Sequence, residues 1–506
     1  MKREKQSVSW EIVFVLLIIV LTGVFRLWKF PFIPGEINRD EAALGYNAYS
    51  LLKTGKDEWG VSWPIVFRSF GDYKLAGYIY LLIPFVQSLG LTAFAVRLPS
   101  LLFGLMLIPV TYLFVKTVTK DQILSSVSVF ILASSPWAIH YSRIGFEANV
   151  ALVLFVLGLT MALRALEEKR RSNTYTFFSA LFIGASLLTY NAPLLLLVPY
   201  LGLLLVLKKI SLRMAVVLVM VGIGIFLLIL PATRGKTGIT LFTDRGVEQA
   251  RQNERAVATT IVQRVVSNPV VYYPMQVAQR YIQSFGPTFL VIRGGQNPWH
   301  QPPDQSHFTG LLYVLAGFGL AMWLWSARKL KGEALLLGFV LLAPIPAIIT
   351  VDAPHATRSL ILLLLLSVAA AVPVAMLLRK QALSAIAILL AISLFSSQYL
   401  TTALRRFETR PQPEWNMGMR EAIELAEQTY SSTKYPITMV GNIHFDYIYP
   451  LFYTSFDPRK IKRTDPLSEF GHYRLVQKQE DAQSPTVLLV REKLRNGEER
   501  FTVKVQ

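Results

Sequence analysis

Eleven stretches of this chain are too apolar to lie in water, and most are long enough to cross a bilayer. They run over residues 10–28, 98–116, 122–139, 148–165, 175–191, 193–207, 213–231, 309–327, 334–350, 359–378 and 382–399. A crossing helix takes about 20 mostly apolar residues, and in hydrocarbon every backbone polar group must be satisfied internally. The pattern therefore predicts an α-helical polytopic membrane protein with about eleven transmembrane helices. Composition agrees: 16% of the 506 residues are charged, against roughly 25% in soluble proteins. A net charge of +19 in so apolar a chain points to basic loops beside a membrane rather than to nucleic acid. The chain has no cysteine, which removes disulfides, thiolate metal sites and cysteine nucleophiles.

The first apolar run follows Met1-Lys2-Arg3-Glu4-Lys5 and ends in Arg26-Leu27-Trp28-Lys29. It offers no small-residue cleavage site, so we read it as a retained anchor. A further run, Leu75 to Leu89, is short and holds Pro84 and Gln87; we read it as interfacial or re-entrant. Five basic clusters then share the side of the N-terminus: Lys116/Lys120, Arg164/Lys169/Arg170/Arg171, Lys208/Lys209/Arg213, Arg328/Lys329/Lys331 and Arg379/Lys380. The positive-inside rule makes that side cytoplasmic. Residues 29–97, 232–308 and 400–506 fall on the outer face. Residues 1–400 form the expected membrane domain. Residues 401–506 read as a small extracytoplasmic α/β domain. There Pro411 and Pro413 precede helix-like EAIELAEQTY, and strand-like YPITMV, PTVLLV and FTVKV follow.

The polar residues with chemical potential gather on the outer face. Asn38-Arg39-Asp40-Glu41 opens a segment whose Leu44, Ala48, Leu51 and Leu52 recur at helical spacing, an amphipathic helix expected to lie on the membrane. Asn38 with Glu41 fits a capping box, and Asp40 suits the helix dipole. Such a position also aims a carboxylate rigidly, and adjacent helix positions diverge by ~100°, so one of the pair faces a given substrate. Asp72 and Lys74 precede the short run; Lys74 is either a snorkelling anchor or a partner for a lipid phosphate. Arg143 and Glu147 occupy a short turn at the mouth of a span, either as an ion pair or as a site. His355 and Arg358 follow Asp352 at another span end and suit a phosphate or sugar contact. The loop 232–308 is basic, with Arg234, Lys236, Arg245, Arg251, Arg255, Arg264, Arg280 and Arg293, and it carries His300 and His307. No motif for a nucleotide, a serine triad or a zinc protease is present.

In order along the chain, the Asp40-Glu41 pair, the D-Y-K run at 72–74, A-V-R-L-P-S at 95–100 and the P-W-A-I-H-Y-S-R run ending at Arg143 resemble the GT-C type, lipid-dependent membrane glycosyltransferases. YIQSFGPTFLVIRGGQNPWH at 281–300 and APHATRSL at 353–360 extend the likeness. Protein O-mannosyltransferases and aminoarabinose transferases are the most similar families; the likeness spans residues 10 to 400. The resemblance implies a GT-C-like fold and inverting transfer of one sugar from a polyprenyl-phosphate-linked donor. The acceptor would be a lipid, glycan or protein outside the cytoplasmic membrane, in contact with membrane lipids. It implies Asp40 as general base, Glu147 holding the acceptor and Lys74 on the carrier phosphate. Glu41, Asp72, Arg143, His355 and Arg358 join them as substrate-binding residues. Relatives place a metal-contacting Glu before the lysine; here Tyr73 stands there, so a divalent metal cofactor has no clear ligand motif. The rival functions are a lipid-linked oligosaccharide ligase or polymerase, and a flippase or transporter of an anionic lipid.

The topology has a direct test. A reporter fused after residue 400 should be active only outside the cytoplasm; a cytoplasmic signal would mean that residues 75–89 cross the bilayer.

Overall fold

The computed structural model describes residues 10–230, 240–302, 305–327, 331–409, 415–493 and 499–506. Lys2, Arg3, Lys5, Arg234, Lys236, Arg328, Lys329, Pro411 and Pro413 lie outside the described residues. In chain order the first helices are α1 (Trp10–Leu27), α2 (Arg39–Thr54), α3 (Ala76–Leu89), α4 (Ala93–Thr119), α5 (Gln122–Ser134), α6 (Pro136–Ser142) and α7 (Glu147–Glu167). All eleven apolar runs are helical in their described parts.

Among the described residues, five helices are long and apolar enough to cross a membrane: α1, α4, α7, Thr357–Lys380 and Ala382–Phe407. The pair α5–α6, bent by 62°, makes a sixth if it is one span. The bend has a local cause. Pro136 has no N–H to give, and the residue before a proline is pushed out of the helical region; Ser135 accordingly sits at φ −71°, ψ 131°. The other apolar helices, such as Ala192–Val206 and Gly310–Ser326, are shorter. Against the expected eleven crossings, five or six of these helices qualify by length and composition among the described residues. Helix α3 has 14 residues and rises about 21 Å, short of the ~30 Å hydrocarbon core.

The described chain divides into two compact units. One comprises Met1–Trp28, Leu101–Ser142 and Glu147–Ala403; the other comprises Lys29–Ser100, Arg143–Phe146 and Leu404–Gln506. The first is a helical bundle. Helix Leu360–Lys380 is buried on nearly every face at its centre. Gly319 lets a neighbouring helix close on it, since a Cβ there would stand 1.8 Å from the Ala369 carbonyl oxygen. Hydroxyls stitch α7 to helix Ser172–Thr189: Ser179 donates to the Gly158 carbonyl (2.8 Å) and Ser186 to that of Ala151 (2.7 Å). Small residues and hydroxyls at crossings are how helices associate where water supplies no driving force.

The second unit joins the first outer loop to the C-terminal segment. Its sheet has the order β4-β5-β3-β6-β7, built from Glu469–Phe470, Tyr473–Val476, Ile437–Val440, Val487–Lys493 and Glu499–Val505. Strand β3 is parallel to both β5 and β6, while β4 and β7 are antiparallel edges. The expected helix forms as Met419–Thr433, and the three expected strands are β3, β6 and β7. Strands β4 and β5 and helix Ile448–Tyr453 lacked a sequence signal.

Helix α2 corrects one expectation. It does not lie on a membrane surface: Ala42 to Ala48, Ser50 and Leu51 are all buried. The stripe Leu44, Ala48 and Leu51 is real, but the opposite face is Ala42, Ala43 and Gly45, small enough for protein to close over it. A Cβ on Gly45 would stand 2.6 Å from Val96 and 2.9 Å from Phe452.

The start of α2 is fixed by a buried ion pair. Glu41 and Arg97, both fully buried, meet through two bonds of 2.8 Å, from Nε to Oε1 and from Nη2 to Oε2. Arg97 also donates to the carbonyls of Pro31, Gly35 and Glu36. Glu41 further accepts from the amides of Gly145 (2.7 Å) and Asn38 (3.1 Å). Removing one partner of such a pair leaves an uncompensated buried charge, which costs about 3–5 kcal/mol. Arg97→Leu should therefore strongly lower the thermal unfolding midpoint of the detergent-solubilised protein. The Glu41→Gln/Arg97→Leu double variant should lose less than the sum of the two single changes.

Candidate active site

Residues Asn38 to Glu41 form the expected capping box: the Glu41 amide donates to Asn38 Oδ1 (3.0 Å) and the Asn38 amide to Glu41 Oε2 (3.1 Å). Because consecutive helical side chains diverge by ~100°, holding Glu41 inward on Arg97 sends Asp40 outward. Asp40 meets Lys74, with Oδ2 to Nζ at 3.2 Å; their side chains are 26% and 18% exposed. These two sequence-predicted residues are thus brought together. Both stay reachable by a substrate, whereas Glu41 does not.

Lys74 reaches Asp40 from a hairpin. Strand β1 (Val66–Ser69) pairs antiparallel with β2 (Asp72–Leu75), with Lys74 opposite Phe67 and Asp72 opposite Ser69. The two turn residues, Phe70 and Gly71, both have positive φ, 52° and 77°, the signature of a tight I′ turn. Side chains alternate along a strand, so Asp72 and Lys74 share one face and Tyr73 takes the other. Lys74 is therefore an ion-pair partner on a strand rather than a snorkelling anchor. Next to Asp40, the Arg39 guanidinium lies over the Phe445 ring, 4.5 Å from its centroid. Arg143 is buried and donates from Nη2 to the Ile33 carbonyl (3.1 Å).

Glu36 ties the same loop to the C-terminal segment. Its carboxylate accepts from the amides of Gly418 (2.7 Å) and Arg420 (2.8 Å) and from the Tyr453 hydroxyl (3.2 Å). Burial pushes this carboxyl up to about 7; the neighbouring Glu421 adds to the rise and the two amides oppose it.

The bundle unit carries the remaining predicted residues. Glu147 opens α7, where the helix dipole favours a carboxylate. Asp352 gathers both basic side chains of its turn. Arg358 pairs with Asp352 and also donates to Thr350 Oγ1 (2.8 Å). His355 Nε2 lies 3.2 Å from Asp352 Oδ2, and its Nδ1 lies 2.8 Å from the Thr357 hydroxyl. Burial, then the Arg358 charge, holds His355 well below its ordinary range. It is neutral at pH 7, and the tautomer satisfying both neighbours donates from Nε2 to Asp352 and accepts at Nδ1 from Thr357. The His300 ring lies 4.7 Å from that of His355.

Sequence reasoning assigned no role to Arg97, Glu36 or Asp352. Arg97 gave a signal, since a lone arginine inside AFAVRLPS needs a buried partner. The partners themselves, 56 residues away for Arg97 and 382 for Glu36, were invisible. Among the described residues no three of His, Cys, Asp and Glu gather as ligands.

The fold is that of the GT-C type membrane glycosyltransferases. The chain is similar to the oligosaccharyltransferase AglB of Archaeoglobus fulgidus in its apo form, with a TM-score of 0.53 and 13% identity; the match covers 88% of this chain and 64% of that one. Similarity to ArnT of Cupriavidus metallidurans, solved bound to undecaprenyl phosphate, has a TM-score of 0.53 and 12% identity over 88% of this chain and 85% of that one. AglB has also been solved with an inhibitory peptide and a dolichol-phosphate, at a TM-score of 0.54 and 14% identity over 88% and 63%. In sequence, residues 78–233 match the family of dolichyl-phosphate-mannose-protein mannosyltransferases. No curated protein matches the chain.

The Glu36 contact makes a pH prediction. A carboxyl whose pKa is raised on folding adds stability that is complete below about 4.5 and is lost as pH rises through about 7. The unfolding midpoint should therefore fall between pH 5 and 8, by on the order of 1–2 kcal/mol in stability. Glu36→Gln, which imitates the protonated form, should flatten that slope.

Proposed function

We propose that this chain is an integral membrane glycosyltransferase that moves a sugar from a polyprenyl-phosphate donor to an extracytoplasmic acceptor, with inversion. The observation that carries the reading is the Asp40–Lys74 pair, a carboxylate and an ammonium 3.2 Å apart and both partly open. Inversion in one displacement needs a base for the acceptor hydroxyl and a cation for the departing phosphate. Asp40 takes the hydroxyl proton as the acceptor oxygen bonds to the anomeric carbon. The carbon–oxygen bond to the carrier breaks, and its electron pair leaves on the phosphate beside Lys74.

The pairing adds an order to these events. While Lys74 faces Asp40 it neutralises the base. A donor phosphate competes for Lys74, so Asp40 gains its basicity when the donor has arrived. Glu41 then acts by positioning, since Arg97, Asn38 and Gly145 occupy its oxygens. Asp72 and Arg143 in the same unit, and Glu147, His355 and Arg358 in the bundle unit, are assigned to substrate binding. The protein would sit in the cytoplasmic membrane with its N-terminus inside and its active face outside. This reading draws support from two structural neighbours, ArnT solved with undecaprenyl phosphate and AglB solved with a dolichol-phosphate.

Asp40→Asn separates this mechanism from a capping role. Losing a positioned general base costs about 10²–10⁴ in rate, whereas a weakened cap costs only ~1 kcal/mol of stability. Transfer from labelled polyprenyl-phosphate sugar in membranes should collapse in Asp40→Asn. Undecaprenyl phosphate should bind at least as tightly as before, because Lys74 has lost its competitor. Lys74→Ala should lose both binding and transfer. Normal transfer by Asp40→Asn would defeat the proposal.

A further inference from the structure

The unit that holds Asp40 and Lys74 contains a second feature, a cavity of about 340 Å³ between the hairpin turn and the C-terminal segment. Its size lies at the lower end of small-molecule sites. Four aromatic side chains converge on it, Trp59 and Phe70 from the first outer loop and Phe445 and Tyr447 from the C-terminal segment. The Phe70 ring touches Phe445 at 5.8 Å and Tyr447 at 5.9 Å, and Trp59 meets Tyr447 edge-on at 6.4 Å. Trp59, Phe70 and Phe445 keep part of their faces open.

Two observations set this cluster apart from ordinary core packing. Phe70 stands at φ 52°, a conformation that a bulky side chain adopts only under strain and that an I′ turn normally gives to Asn or Gly. The turn thus holds an aromatic ring at the cavity mouth against its backbone preference, as happens at functional sites. The polar groups around the rings are charge-balanced as well. Arg68 stacks over Trp59, 4.3 Å from its ring centroid, and pairs with Asp465, while His444 adds an exposed imidazole. Beneath Tyr447, whose hydroxyl donates to Glu58 at 3.4 Å, burial pushes the Glu58 carboxyl up to about 8.

An anion would meet Asp465 and a cation would meet Arg68. A neutral polyol fits both: the apolar C–H face of a sugar ring lies on aromatic faces, and its hydroxyls bond to the guanidinium, carboxylate and imidazole. We infer that this cavity is a carbohydrate-binding subsite and that the acceptor is a glycan whose sugar residue docks there. The identification of the occupant as the acceptor rests on the glycosyltransferase reading above; the binding of a sugar does not. Geometry supplies the link to the chemistry. Phe445 lies under Arg39, the residue before Asp40, and Phe70 begins the turn that leads two residues on to Asp72 and thence to Lys74. A sugar in the cavity would thus lie in the same compact unit as Asp40 and Lys74, against elements that are continuous with theirs, and the C-terminal segment would take part in acceptor selection.

The test uses the full-length protein in detergent and three neutral probes: maltotriose, chitotriose and α-1,6-mannotriose. At least one should quench tryptophan fluorescence with millimolar affinity, and Trp59→Phe should remove that signal. Phe445→Ala should weaken binding roughly tenfold, as the loss of one aromatic contact does. The exposed His444→Ala, which leaves the fold untouched, should weaken it to a lesser degree. Inorganic phosphate should not compete, and Asp40→Asn should bind the probe normally, so a failure of the transfer mechanism would leave this result intact. The assignment is overturned if none of the three probes binds, if binding survives Phe445→Ala unchanged, or if phosphate displaces the probe.

Discussion

A buried arginine on a buried glutamate sets the geometry on which everything near Asp40 depends. Taking both ions out of water is expensive, and the attraction between them offsets the cost only when their remaining donors and acceptors are satisfied. Here they are. Arg97 serves Glu41 and three backbone carbonyls, and Glu41 serves Arg97, Asn38 and Gly145. One interaction thereby joins the loop before α2, the first turn of α2, the head of α4 and the short segment at Gly145. Its functional consequence is directional: with Glu41 fixed inward, the preceding residue must face out.

The pair that results, Asp40 with Lys74, belongs to a different electrostatic regime. Both side chains are partly exposed, and exposed ion pairs contribute little to stability. In the proposed mechanism the same weakness is what would let an incoming phosphate take Lys74 away. A fully buried lysine would be held too firmly, and a fully exposed one would be screened by salt. The hairpin sets this intermediate depth by a rigid two-residue turn, and the aromatic cavity lies at that turn. Asp40, Lys74 and the proposed sugar contact therefore all belong to one compact unit.

In the bundle unit the charges are compensated within one turn. Arg358 and His355 both turn to Asp352, with Thr350 and Thr357 completing the contacts. A neutral histidine and a compensated arginine can bond hydroxyls and phosphate oxygens without adding a large net charge. That suits a binding role better than proton transfer at neutral pH.

The sequence by itself determined the parts governed by local pattern. Apolar length fixed the helical runs, the Asn38–Glu41 spacing fixed the capping box, and the strand-like runs YPITMV, PTVLLV and FTVKV foretold three strands. Likewise, the divergence of adjacent helix positions foretold that Asp40 and Glu41 would part. Tertiary structure decided which way each turned, because the choice depends on Arg97, 56 residues on. It also buried α2 in protein where its amphipathic stripe alone suggested a membrane surface, since periodicity reports an apolar face but not what covers it. The aromatic cavity was equally hidden: Phe70 and Phe445 are unremarkable in the sequence and become a site only when the chain brings them within 5.8 Å. Local propensity acts over a few residues, whereas a charge or a ring acquires its role from whatever the fold places against it.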